Sequence, residues 1–508
     1  MLRQRLPVLT TKRFNGNFVK AAGFDEKTKD KEYGSRPLLI RDEMNALTYE
    51  GVNLRVGQYA NLLSSKYGLG KGDRLLSRTT KTVDTVALYL ATLRLGAIYI
   101  PLNPDYTTKE TTHFVNDGEP KVLVSCEAQN DKVFEDKGAR VVDEKELAKE
   151  ANSQKPALEV ENVSQDDVAT ILYTSGTTGL PKGAMLTHRC LQANGEALAD
   201  LWRFTKDDVL LHQLPFYHIH GMCITFSTTL MSKSSTIFRP KFDVDDACHW
   251  MPKSSIYVGV PTYYTRLMAD TNKFNKEVFK NIRVFISGSA PLTPATWNGF
   301  KEHTGHPILE RYGMSETLAS ISNPYEPEKR VPGSVGVPVP GMSVRLGEND
   351  VIEVKGPSVF KGYWKLPEKT KSEFTADGYF KTGDVGQVDE NGYYHIMARE
   401  KDMVISGGFN VYPKELEDTI DTMKLVKEAA VIGVPHPDFG EGVVAVCVPL
   451  PGTNNEETAK KLKAELKTRL ANYKRPKKYI FVEEYPRNFI GKIQKNKLRE
   501  QYKDLFKA

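Results

Sequence analysis

Cysteine is scarce in this chain and long apolar runs are missing. The five cysteines, Cys126, Cys190, Cys223, Cys248 and Cys447, stand far apart with no C-x-x-C pair among 508 residues. That spacing excludes a zinc knuckle and offers no disulfide framework, so a reducing compartment is expected. No stretch reaches the roughly 18 consecutive apolar residues a bilayer crossing needs, and the N-terminus lacks the apolar core of a secretory signal. Net charge is also small. Seventy Lys and Arg against 64 Asp and Glu leave +6, spread along the chain, so the charge balance does not select nucleic acid as a partner. Internal repeats and low-complexity segments are absent. What is present is an ordinary globular composition, 40% hydrophobic and 26% charged, and at about 150 residues per domain the length allows two to four domains.

Residues 1–24 carry Arg3, Arg5, Lys12, Arg13 and Lys20 and no acid before Asp25. The composition is that of a mitochondrial transit peptide; a basic tail before the first strand is the other reading. On the first reading the segment is removed on import and the protein resides in the mitochondrial matrix, with the cytoplasm as alternative. A chain starting near Asp25 is then expected to fold and remain active.

Strand-length apolar runs alternate with helical patterns: Ala87–Leu95 reads as helix, Ala97–Ile100 and Lys121–Ser125 as strands, and Val168–Tyr173 as a buried strand feeding a Gly-rich loop. This alternation predicts an α/β fold with parallel sheets. After about residue 342 the texture changes to shorter strands such as Val351–Val354 and Tyr393–Ile396 between Gly and Asp turns, a β-rich subdomain. The charged run Arg399–Asp402 then leads to Met403–Ser406 and the Gly407-Gly408 pair, where a hinge is expected. Beyond it lies a compact α+β pattern: helix Pro413–Thr422, strands Val426–Val434 and Gly442–Leu450, helix Glu456–Leu470 and strand Tyr479–Val482. The predicted organisation is a large N-terminal domain over 25–399, a hinge at 400–402 and a small mobile C-terminal domain over 403–508.

The sharpest signal is Tyr173-Thr174-Ser175-Gly176-Thr177-Thr178-Gly179-Leu180-Pro181-Lys182-Gly183, set directly after an apolar strand. Glycines let backbone N–H groups approach phosphate oxygens, the hydroxyls add donors and Lys182 adds positive charge. The pattern is not G-x-x-x-x-G-K-[ST], so a Walker-type NTPase is not expected. Further motifs follow in order: Leu214-Pro215-Phe216-Tyr217-His218, Ser287-Gly288-Ser289-Ala290-Pro291, Tyr312-Gly313-Met314-Ser315-Glu316, Tyr379-Phe380-Lys381-Thr382-Gly383-Asp384, Arg399–Asp402 and Gly491-Lys492-Ile493. With the loop, they resemble the adenylate-forming superfamily of acyl-CoA synthetases, luciferases and peptide-synthetase adenylation domains, over residues 30–500.

The resemblance implies two half-reactions, with ATP and CoA as co-substrates. A carboxylate first attacks the α-phosphate of ATP, which requires the phosphate charge to be neutralised and two anions brought together. It implies ATP contacts from Thr174, Ser175, Gly176, Thr177, Thr178, Gly179 and Lys182, and from Gly313 and Ser315. Tyr312 would lie on adenine, with the backbone of Ser289 and Ala290 at the ring edge. Asp384 would accept the ribose hydroxyls with Arg399 as its partner. Glu316, with Thr174 beside it, is suited to Mg²⁺, a hard cation that prefers carboxylate and phosphate oxygens. Lys492 matches the lysine that bridges attacking carboxylate and α-phosphate. For the second half-reaction, attack by the CoA thiol, the resemblance puts Lys401 at the hinge and Gly408 on the pantetheine path.

Before the motif tyrosine, where relatives that activate fatty or aromatic acids carry a small residue, this chain has Arg311. A fixed guanidinium in the acyl pocket suits a substrate with a second carboxylate, because an unpaired buried charge is costly. Pairing of Arg311 with Glu310 or another internal acid is the competing reading. The contexts Ile308–Glu316, His218-Ile219-His220-Gly221 and Phe285–Leu292 resemble malonyl-CoA synthetases. That resemblance implies a distal carboxylate held by Arg311, His218 and Ser289, with His220 either supporting them or merely packed. The expected activity joins malonate, or methylmalonate, to CoA with ATP, giving malonyl-CoA, AMP and pyrophosphate. The rivals are a broader ligase for medium-chain or aromatic acids, a non-catalytic binding protein on the same fold, and a peptide-synthetase adenylation domain.

Overall fold

The computed structural model describes residues 16–25, 31–174, 181–399, 402–406, 409–437, 439–488 and 491–507. Two large sheets form the centre. The first runs, in spatial order, Gly362–Tyr363, Lys182–Thr187, Val168–Thr174, Ile98–Pro101, Arg74–Arg78, Val122–Ser125 and Arg140–Asp143; its last five strands are parallel. The second places Leu309–Met314, Val284–Ser287, Ile256–Gly259, Val209–His212, Ser235–Phe238 and Pro37–Ile40 side by side and parallel, with antiparallel strands at both ends.

Strand alternation decides what lies between the sheets. Leu75, Val122 and Leu172 of the first sheet and Leu210, Val258 and Val284 of the second share one core, while their neighbours Leu76, Leu123 and Ile171, and Leu211, Tyr257 and Phe285, face two outer cores. The helix Val83–Arg94 belongs to the shared core, where every residue but Asp84 is buried. Its nearly all-round burial is what a helix needs when sheets cover both its sides. A capping arrangement between Thr82 and Thr85 satisfies its first N–H groups.

The β-rich texture after residue 342 folds as an antiparallel sheet of Ser343–Leu346, Val351–Lys355, Phe380–Val388 and Tyr394–Arg399. The C-terminal pattern forms its own sheet around the long pair Val426–His436 and Gly440–Pro449, with Lys478–Phe481 added in parallel. Helices Pro413–Thr422 and Asn455–Arg469 pack on one face through Leu416, Ile420, Leu462 and Leu466, and Lys495–Tyr502 packs on the other through Leu498.

In the second sheet, the loops that carry the sequence motifs leave from the carboxyl ends of the parallel strands, where open α/β sheets place their ligands. Leu309–Met314 goes further. It pairs in parallel with Val284–Ser287 only through Glu310, and from Arg311 onward it continues as an antiparallel partner of Leu318–Ser322. Arg311 is therefore the first residue to project beyond the end of its parallel neighbour.

The N-terminal boundary needs correcting. Phe18, Val19, Ala22 and Phe24 have no exposed surface. Asn17 Nδ2 donates to the Leu93 carbonyl at 2.8 Å, the Phe18 N–H to His188 Nδ1 at 3.1 Å, and the buried Arg94 to the Phe24 carbonyl at 3.0 Å. Residues 17–24 are thus part of the large domain, and any removable leader ends before Asn17. Burial of each Val or Phe side chain stabilises by about 1.5–3 kcal/mol, so losing three of them removes a large part of the roughly 5–15 kcal/mol that holds a domain. A chain starting at Asp25 is expected to unfold at least ~10 °C below one starting at Gly16, or to fail to fold. Equal melting temperatures in a thermal-unfolding comparison would show instead that the segment is dispensable.

Candidate active site

The acyl end is built around Arg311. Its side chain is 3% exposed, and Nε and Nη2 find no hydrogen-bond partner among the described residues. Burial lowers its pKa to about 9. A Cβ on Gly288 would stand 2.5 Å from Arg311 Nε and 2.6 Å from Cζ, so only glycine there lets the guanidinium cross the end of the Val284–Ser287 strand. Glu310 is not its partner. Strand alternation turns the Glu310 side chain the other way, where Oε1 accepts from the Leu292 N–H at 3.2 Å, and burial raises its pKa to about 7.

His218 and His220 face the same guanidinium. Burial, followed by the charge of Arg311, lowers His218 to about 4 and moves His220 well below the usual imidazole range. The His220 N–H donates to His218 Nδ1 at 3.2 Å, and His220 Nδ1 lies 3.0 Å from Ser289 Oγ. Ser289 holds φ +72°, a left-handed conformation uncommon for a serine. His218, His220 and Ser289 line a cavity of about 290 Å³, whose far wall comes from Arg487, Asn488 and Gly491 of the C-terminal domain.

At the nucleotide end Asp384 joins two segments. It is 4% exposed; Oδ2 accepts from the Tyr312 hydroxyl at 2.6 Å and Oδ1 from Arg399 Nε at 2.8 Å. Arg399 is raised chiefly by the Asp384 carboxylate. The backbone turns sharply at Gly313, where a Cβ would sit 1.7 Å from the Leu318 carbonyl oxygen; Ser315 lies in that turn and Glu316 is carried inward by it. Glu316 is buried, which raises its pKa, and its Oε1 accepts from the Tyr363 hydroxyl at 2.9 Å. Lys182 Nζ lies 4.4 Å from the centre of the same tyrosine ring, and Thr174 pairs with Lys182 across two antiparallel strands. Glu316, Lys182 and Thr174 thus meet beside the two ends of the Gly-rich loop. Ala290 follows Ser289 in the loop after Val284–Ser287, half-buried.

Lys492 is tied back to the chain before it by Asn488 N–H to Lys492 O at 2.9 Å, Lys492 N–H to Asn488 Oδ1 at 2.8 Å and Arg487 Nη1 to Gly491 O at 2.8 Å. Burial and then Arg399 lower its pKa, while Asp384 and Asp402 oppose them, so the ammonium stands within electrostatic reach of Asp384 and Arg399. Ser175, Gly176, Thr177, Thr178, Gly179, Lys401 and Gly408 lie outside the described residues. Tyr363 was missed by sequence reasoning, since nothing in Gly362-Tyr363-Trp364 signals a contact with Glu316; Gly288 lay inside a quoted motif, but its steric role is visible only beside Arg311.

Comparison with known proteins gives the family. The pattern of AMP-binding enzymes matches residues 26–364, and that of their C-terminal domain residues 415–492. A malonate–CoA ligase of Arabidopsis thaliana is 34% identical over 479 residues, 85% of this chain and 79% of its own length. The mitochondrial malonate–CoA ligase ACSF3 of Mus musculus is 31% identical over 522 residues, 92% of this chain and 89% of its own length. Among solved structures, ATP-bound MatB from Rhodopseudomonas palustris superposes with a TM-score of 0.91 at 45% identity, covering 97% of this chain and all of that one; the apo form of the same protein gives 0.82. On the match of more than half its length and on these relatives, the chain belongs to the AMP-binding enzyme family.

Proposed function

We propose that this enzyme activates malonate: malonate and ATP give malonyl-adenylate and pyrophosphate, and CoA then displaces AMP to give malonyl-CoA. The observation that carries the substrate is Arg311, a buried guanidinium whose Nε and Nη2 find no partner among the described residues, packed against Gly288 and within electrostatic reach of His218 and His220, which with Ser289 line the cavity. A fatty or aromatic chain would leave that charge uncompensated, whereas a second carboxylate pairs with it. The malonate-using relatives and MatB support the same reading.

In the first half-reaction, Arg311 with His218 and Ser289 holds the distal carboxylate, leaving the other carboxylate to attack the α-phosphate. Lys492 bridges attacker and phosphate and stabilises the charge developing between them. Tyr312 lies along adenine, with the Ser289–Ala290 backbone at its edge and Gly313 and Ser315 beneath. Asp384, oriented by Arg399, takes the ribose hydroxyls, and the loop 174–179 with Lys182 holds the phosphates. The described residues contain no group of three or more metal-ligating side chains. Glu316 and Thr174 offer hard oxygen donors beside Lys182, which fits a Mg²⁺ shared with phosphate oxygens. When bound it would neutralise phosphate charge.

The second half-reaction rests on domain rotation about 400–402, between a large domain ending at 399 and a small one from 403 to 508. Lys401 is the pivot and Gly408 clears the pantetheine path. The higher TM-score against the ATP-bound than the apo relative supports the present arrangement as the adenylating one. A mitochondrial location is supported by the basic, acid-free N-terminal residues and by the mitochondrial mouse relative.

Pyrophosphate release is expected to be fastest with malonate among malonate, methylmalonate, succinate, acetate and octanoate. Arg311→Ala should cut malonate kcat/KM roughly 30- to 1000-fold, the cost of removing one partner of a desolvated pair, while barely changing the KM for ATP. Faster turnover of octanoate or acetate by the unmutated enzyme would refute the dicarboxylate reading. Lys492→Ala should abolish adenylate formation yet spare thioester formation from supplied malonyl-adenylate. A bulky residue at Gly408, or Lys401→Pro, should do the reverse. Equal loss in both half-reactions for every variant would argue against rotation. A fluorescent fusion of residues 1–16 should mark mitochondria; a diffuse cytosolic signal rejects import.

A further inference from the structure

His220 opens the buried π-helical segment His220–Phe226, a rare conformation that concentrates at functional sites. The segment is pinned from behind. His212 Nε2 lies 3.0 Å from the Gly221 carbonyl, which can only accept, so Nε2 carries the proton and Nδ1 is bare. Lys81 Nζ donates to that Nδ1 at 2.9 Å. Gly221 itself is fixed by contact, since a Cβ there would stand 2.3 Å from the Pro215 carbonyl oxygen. The ring of His220 is thereby held 3.0 Å from Ser289 Oγ, its Nε2 buried and unpartnered among the described residues, while Ser289 sits in a strained left-handed conformation.

The proton between His220 and Ser289 has two possible owners. If the serine hydroxyl donates to a bare Nδ1, its one proton is spent, and Ser289 shows the cavity only lone pairs, which repel a carboxylate. If Nδ1–H donates to Ser289 Oγ, the hydroxyl proton is free to turn toward the substrate. Neutral imidazole permits either tautomer, and burial first, then Arg311, His218 and His212 around it, disfavour the doubly protonated form.

We propose that His220 is a positioning residue for substrate choice: its Nδ1–H donates to Ser289 Oγ and directs the serine proton at the distal carboxylate that Arg311 holds. Arg311 supplies charge, and the His220–Ser289 pair supplies a directed donor that a distal amide or methyl group cannot use equally well. This inference rests on the malonate reading of the pocket.

Asparagine can place an amide N–H where histidine has Nδ1, and glutamine where it has Nε2; phenylalanine keeps ring volume with no donor. His220→Asn is expected to retain the malonate KM within about threefold. His220→Gln and His220→Phe should raise it roughly 10- to 100-fold, the worth of one hydrogen bond to a charged group, with the KM for ATP unchanged. The preference for malonate over malonamate, its distal half-amide, should narrow in step. Gln and Phe variants that keep the wild-type malonate-to-malonamate ratio, or an Asn variant as poor as Phe, would overturn the proposal. Thermal melts and ATP binding separate misfolding from mispositioning, and the purely structural reading predicts that all substrates suffer alike. If the wild-type enzyme shows no malonate preference, or Arg311→Ala leaves it intact, the pocket reading itself fails, an outcome distinct from the His220 series.

Discussion

A guanidinium buried without a counter-ion among the described residues is the most demanding feature of this molecule, and its surroundings are arranged to permit it. Removing such a charge from water costs several kcal/mol unless a partner repays it, and the lowered pKa of Arg311 records that cost. The site tolerates the group because Gly288 leaves room for it and because the strand carrying it outruns its parallel neighbour at that residue. Glu310, one residue earlier, is kept from neutralising it by the pleat of the strand and by its own bond to Leu292. An arginine so isolated is prepared for an anion brought from outside.

The nucleotide end solves a different problem, holding segments that are distant in the chain in one register. Asp384 does this by receiving Tyr312 from the large sheet and Arg399 from the last strand before the C-terminal domain. The same carboxylate and guanidinium act on Lys492, so Asp384, Arg399 and this lysine share one electrostatic neighbourhood. Glu316 is tied in similar fashion to Tyr363, whose ring also carries Lys182. Each charged group at this end is thus both a ligand candidate and a clasp between elements.

Much of this was legible in the residues. The periods read along Val168–Tyr173, Ala87–Leu95, Pro413–Thr422 and Val426–Val434 found the elements Val168–Thr174, Val83–Arg94, Pro413–Thr422 and Val426–His436, the helix read from Ala87 lacking its first turn, because burial on one face or both imposes a period the sequence must obey. Ordered motifs named the candidate residues, and the oddity of an arginine at 311 singled out one position for scrutiny. The N-terminal boundary misled, because composition reports charge and not contact: a basic, acid-free segment resembles a leader even where Phe18, Val19 and Phe24 lie in the core.

By itself, then, the sequence determined the fold class, the alternation of layers, the candidate residues for phosphate and ribose, and the presence of a cation at position 311. Only the tertiary structure decided that this cation has no acid paired with it among the described residues, that Gly288 makes way for it, that His220 stands against Ser289, and that Tyr363 holds Glu316. Those facts depend on distances between residues tens of positions apart. Local propensity and spacing encode which way a side chain faces on its own element, but not which distant side chain the packing of two sheets and a small domain will set opposite it.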